Sequence, residues 1–135
     1  MKLLVPVTLL MFSAAACAAP AGPKWFQTRR EAMAEVKKTG KPLLIDANTQ
    51  WCGPCQMMKD EVFKSHAFAA EAKRWVLFDM DCDKHPDLAN FYGVQGFPSL
   101  VVLSPRGKVV ASTAGYAGVS ATLSFIKKSW AKAKK

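Results

Sequence analysis

Two cysteines set the chemistry of this chain, Cys52 and Cys55 in the run Trp51-Cys52-Gly53-Pro54-Cys55. A C-x-x-C pair closes a disulfide across one turn of chain or supplies half of a zinc site. The flanking residues favour the disulfide. Upstream, Pro42-Leu43-Leu44-Ile45-Asp46-Ala47 is a short apolar run of the kind that forms a buried parallel strand. Downstream, Gln56 to Lys64 is rich in helix formers and carries Met58, Val62 and Phe63 at helical spacing. The pair therefore sits where a strand ends and a helix begins. Unpaired backbone N–H groups and the helix dipole favour a thiolate on Cys52 there. Cys52 is then the nucleophile that attacks a substrate disulfide, and Cys55, one helical turn on, resolves the mixed disulfide. The pair itself carries the two electrons, so no bound cofactor is required. The plain alternative, an inert structural bridge, has no use for Gly-Pro at a helix start.

In these residues the sequence resembles the thioredoxin family, whose active-site motif is matched by Trp51 to Cys55 residue for residue. Asp46, six residues before Cys52, falls where thioredoxins carry a buried acid. Gly96-Phe97-Pro98-Ser99 falls where they carry a cis-proline facing the disulfide. The resemblance covers roughly residues 40 to 130. Lys41 to Asp46, and Met58 followed by Val62-Phe63, are closer to exported members such as the C-terminal domain of the transmembrane thiol:disulfide interchange protein. It implies an α/β thioredoxin fold, a central mixed β-sheet flanked by helices on both faces. Asp46 would take the proton of Cys55 as that thiol becomes a thiolate, with a pKa raised by burial. Pro98 would contact substrate and guard the thiols against metal capture. Trp51, Gly53, Pro54 and Phe97 would complete the substrate face. The family often places a lysine beside its buried acid, and by counting from Gly96-Phe97-Pro98 that position holds Asp79. No cation lies between the cysteines, which points to a reductant with a potential of about −270 mV. The alternatives are a disulfide oxidase or isomerase, and a non-catalytic binding module or chaperone using the Phe97-Pro98 groove.

Cys82 and His85 could combine with Cys52 and Cys55 as a zinc set, but 26 residues separate the halves, more than zinc ribbons usually use. The expectation is no metal. Cys82 follows a strand parallel to the one bearing Asp46 and should end on the same sheet edge as the motif. It reads as a quiet free thiol, with a third redox thiol as the alternative.

The remaining elements follow in order. Thr28-Arg29-Arg30-Glu31 has the form of a capping box opening a helix that Gly40 closes. Ser65 caps a continuation of the active-site helix to Arg74, and Trp75 to Phe78 reads as a second buried strand. A short helix fits His85 to Tyr92, with Gly93 as its stop. Residues 98–103 and 108–112 form a hairpin about Ser104-Pro105-Arg106-Gly107. A last helix spans about Ser120 to Lys132, with Leu123, Ile126 and Trp130 as its apolar stripe.

Residues 1–18 read as a signal peptide, with Lys2 ahead of an apolar stretch from Leu3 to Phe12 and Ala16-Cys17-Ala18 as the cleavage pattern. A second reading has Cys17 lipidated, anchoring the chain. Residues 19–135 then form one domain. Export, to the periplasm or its equivalent, means that a reduced C-x-x-C needs an electron donor. The resemblance implies a membrane-embedded thiol–disulfide carrier in that role and protein disulfides or dithiols as substrates. The formal net charge of +9 suits acidic partners or an anionic membrane face and does not argue for nucleic acid. Lys127, Lys128, Lys132, Lys134 and Lys135 gather at the end of the last helix, where cations oppose its dipole. The expected form is a monomer.

Overall fold

A computed structural model describes residues 21–135. The signal-like segment, its cleavage pattern and Cys17 lie outside the described residues. Five strands and five α-helices follow in the order β1 (Trp25–Phe26), α1 (Arg29–Thr39), β2 (Leu43–Asn48), α2 (Gly53–Met58), α3 (His66–Ala72), β3 (Val76–Asp81), α4 (Pro86–Phe91), β4 (Ser99–Leu103), β5 (Val109–Ala114) and α5 (Val119–Ala133). The sheet order is β1-β3-β2-β4-β5. β1, β3 and β2 run parallel, and β4 and β5 pair antiparallel to their neighbours. This is the mixed sheet covered on both faces that the sequence implies.

Strand alternation builds two cores. Leu43, Ile45 and Ala47 face one way with Phe78, Met80, Val101 and Leu103, and meet Ala32 and Val36 of α1 and Ala89 of α4. Leu44 faces the other way with Leu77, Leu100 and Val102, and meets Met58, Phe68 and Ile126. Every residue of β2 is buried, as expected for a central strand covered on both sides. Asp46 and Asn48 share the pleat of Leu44, so the second core carries two polar side chains beneath α2.

Two features depart from the sequence reading. β1 was not foreseen; it has only two residues, too few for a period-2 pattern, and forms because Trp25 and Phe26 pair with Leu77 and Phe78. Trp25 also packs against Phe63 and Phe68, with ring centroids 4.8 and 5.9 Å away. The active-site helix is not a uniform α-helix either. After Met58 it widens into one π-helical turn, Lys59–Phe63, then breaks before Ser65 caps α3. The wider turn buries Met58, Val62 and Phe63 together against the sheet.

The other signals are met closely. Thr28 Oγ1 accepts from the Glu31 backbone N–H at 3.3 Å, and Gly40, at φ 71°, donates its N–H to the Val36 carbonyl. The five lysines at the C-terminal end are exposed, and Lys134 lies 4.4 Å over the Trp130 ring.

Candidate active site

β2 ends at Asn48, and the turn Thr49-Gln50-Trp51 delivers Cys52 to the N-cap of α2. Cys52 Sγ accepts the backbone N–H of Cys55 at 3.2 Å, and Pro54 lies in the first helical turn, where its missing N–H costs nothing. Cys52 and Cys55 form a disulfide, with Cα atoms 5.3 Å apart. Of the two, Cys52 is the less enclosed, 8% exposed against 2% for Cys55.

Opposite this turn, β4 starts immediately after the Phe97–Pro98 peptide bond, which is cis. Ala47 is the register partner of Ser99, so residues 96–98 come to the same sheet end as the cysteines. The Pro98 carbonyl accepts from Gly115 N–H at 2.7 Å, and Ser99 Oγ donates to the Gly96 carbonyl at 2.6 Å. Trp51 is 73% exposed, meets the half-buried Phe97 edge-on at 6.1 Å, and donates its indole N–H to Asp83 Oδ1 at 3.4 Å. Gly53 and Pro54 are exposed beside it, while Pro98 is buried. The sequence-derived site residues are thus gathered at one end of the sheet, with Trp51, Gly53 and Pro54 exposed, Phe97 half-buried, and Cys52, Cys55, Pro98 and Asp46 buried.

Asp46 is 1% exposed. Burial, opposed in part by Lys59 and reinforced by the nearby Asp79 charge, pushes its carboxyl up to about 7. Its Oδ2 accepts from Asn48 Nδ2 at 3.2 Å, and its Oδ1 has no partner among the described residues. Asp79, at the position where the resemblance implies a lysine, is the register partner of Asp46, and a cation reaches the acid from another element. Lys59, in the π-helical turn, supplies one: its Nζ lies 3.4 Å from Asp79 Oδ1 and 3.5 Å from Asn48 Oδ1. Asn48 and Lys59 were missed in the sequence. A usable signal was present, since Lys59 stands four residues after Cys55 and so shares its helix face.

Cys82 reaches the same sheet end, its N–H donating to the Asn48 carbonyl at 2.8 Å. Its thiol is buried and donates to the Met80 carbonyl at 3.7 Å. Desolvation, with the Asp81, Asp46 and Asp83 charges adding to it, pushes the thiol up to about 11. Among the described residues no three His, Cys, Asp or Glu side chains gather in a metal-holding group, so His85 does not join the cysteines.

A disulfide closed across the N-cap of a helix, following a strand that carries a buried acid of raised pKa and reaching the same sheet end as a cis-proline turn, defines a thiol–disulfide oxidoreductase site. The thioredoxin family profile matches residues 25–128, and the chain belongs to that family. Thioredoxin H2 of Arabidopsis thaliana is 32% identical over 81 residues, which cover 60% of this chain and 58% of that protein's own length. Among solved structures, the DsbH oxidoreductase superposes with a TM-score of 0.70 at 26% identity, over 82% of this chain and 86% of the other. The C-terminal domain of Neisseria meningitidis DsbD in the reduced form shares the fold, with a TM-score of 0.63 at 19% identity over 73% of this chain and 91% of that one.

Proposed function

We propose that this protein is an exported reductase of protein disulfides, cycling between the Cys52–Cys55 dithiol and disulfide. The observation that carries the reading is the cap geometry: Cys52 Sγ takes an N–H at the start of α2, and only the uncharged Gly53 and Pro54 separate it from Cys55. That cap favours the thiolate, and the absence of a cation between the cysteines leaves it basic enough to deliver electrons. Reduced Cys52 attacks one sulfur of a substrate disulfide and expels the other as a thiolate. Cys55 gives its proton to Asp46 and attacks Cys52 Sγ, which forms the Cys52–Cys55 bond and releases the second substrate thiolate. Two electrons pass to the substrate, and proximity makes the second step intramolecular. Trp51, Gly53, Pro54 and Phe97 receive the substrate chain, which adds as a strand along the Phe97-Pro98 backbone.

The charged and apolar pattern of residues 1–18 supports export, and Cys17 supports a lipid anchor as a variant of it. An exported reductase needs electrons from across a membrane, and a membrane-embedded thiol–disulfide carrier is the proposed donor. The protein works as a monomer with no cofactor beyond the pair.

The test is to mix the reduced full chain with a protein bearing an accessible disulfide and count the thiols released. Cys55→Ser should accumulate a mixed disulfide through Cys52, and Cys52→Ser should lose thiol transfer altogether. Retention of full activity by Cys52→Ser would mean a binding module rather than an exchange enzyme.

A further inference from the structure

The surroundings of Asp46 carry an assignment that rests on its acid–base role above. Asp46 and Asp79 are register partners on the parallel strands β2 and β3. One side chain, Asn48, serves both. Its Nδ2 donates to Asp79 Oδ1 at 2.6 Å, and to Asp46 Oδ2 at 3.2 Å and the Asp46 carbonyl at 3.1 Å. An amide nitrogen has two hydrogens. One is committed to Asp79 in a short bond, and the other is divided between two oxygens of Asp46. The lysine is committed as well, since Lys59 Nζ is 3.4 Å from Asp79 Oδ1. Asp46 is left with a weak share of one hydrogen, and its Oδ1 has no partner among the described residues.

A cleft of about 1190 Å³ beside β1 is lined by Asp46, Lys59 and Asp79 together with Lys24, His66 and Lys73. No other charge opposes the arrangement from the elements packed around Asp46. Its β4 register neighbour is Leu100, and α5 buries Thr122, Ile126, Ser129 and Ala133; β3 adds Asp81, the register partner of Asn48, which pairs with Lys84, and the buried Cys82 thiol follows that strand.

We propose that Asn48, Lys59 and Asp79 are positioning residues that keep Asp46 a proton acceptor: Asp79 draws the lysine and the stronger amide bond to itself, and the cleft carries the proton away. In the resolving step the Cys55 proton passes to Asp46 Oδ1 as the Cys52–Cys55 bond forms and the Cys52–substrate bond breaks. The substrate disulfide is the oxidant. The proton then leaves Asp46 through cleft water, and the substrate thiolates take theirs from solvent.

The arrangement makes two variants act in opposite senses. Asp79→Asn frees Lys59 and the Asn48 amide for Asp46, and both favour its carboxylate, so the Asp46 titration should move down by about one pH unit. Lys59→Met removes the cation and should move it up by a similar amount, about one unit, while Lys59→Arg should restore it. The measurement is a carboxyl-carbon NMR titration of the oxidised full chain labelled at aspartate, with the Asp46 signal assigned by its loss in Asp46→Asn. A merely structural role would lower the stability of both variants without splitting their midpoints. Shifts in the same direction, or none, would overturn the proposal while leaving Asp46 as the acid. If no titration near neutral pH disappears in Asp46→Asn, the acid–base reading falls and the proposal with it.

Discussion

Burying Asp46 has a measurable thermodynamic consequence. Its pKa rises from 3.8 to about 7 on folding, so between those values the folded chain binds the proton and the unfolded chain does not. The contribution to stability is therefore whole below pH 3.8 and is lost as pH rises to about 7, beyond which the loss is constant. At about 1.4 kcal/mol per pH unit the difference is about 4 kcal/mol. Asp46→Ala in the oxidised protein should then be more stable than the parent at pH 8, by up to about 4 kcal/mol less the cost of the smaller side chain. The gain should vanish near pH 4 in urea denaturation. A gain independent of pH would mean that the carboxyl is not desolvated as described. Cys82 gives a second test at this scale. Its thiol, pushed up to about 11, should resist iodoacetamide in the native protein at neutral pH while reduced Cys52 alkylates. Cys82→Ala should leave thiol transfer within about twofold of the parent, and a larger loss would revive the third-redox-thiol reading.

Individual elements show where sequence was a sufficient guide. Thr28, Gly40 and Ser65 each announce a helix boundary because a cap is a local interaction, complete within three or four residues, and all three sit at the ends expected of them. Thr28→Ala should cost about 1 kcal/mol in thermal or urea unfolding, with the fold retained. A neutral result would mean that the Thr28 hydroxyl adds nothing beyond water at the helix start. The cysteine pair, Asp46 and the Phe97-Pro98 turn were legible for a different reason: their spacing along the chain is specific enough to identify the site. β1 and the π-helical turn were not legible. Two residues of strand carry no periodicity, and Met58, Val62 and Phe63 fit an ordinary helix equally well until the sheet beneath demands all three. That turn also explains why Lys59 was overlooked. A lysine in a polar helical run reads as solvent-facing, whereas here the widened turn and the inward-facing Cys55 carry it over Asn48 and Asp79.

On the scale of the whole molecule, the sheet delivers the reactive groups to one end and leaves the basic surplus elsewhere. The site end carries Asp81 and Asp83 beside Trp51, and the lysines of α5 stand exposed along the last helix. Acidic side chains therefore flank the cysteine end, while exposed lysines line the last helix. Among the described residues no helix is long and apolar enough to cross a membrane. The proposed reductase sends electrons outward from the Cys52–Cys55 pair to substrate disulfides. The test equilibrates the chain from Ala19 onward with dithiothreitol or glutathione couples and counts thiols, with Cys82 adding one constant thiol to both states and Cys17 left out. A reductase of this kind should show a potential of about −270 mV. A value at or above about −180 mV, in the range of isomerases and oxidants, would contradict it and reverse the direction of electron flow.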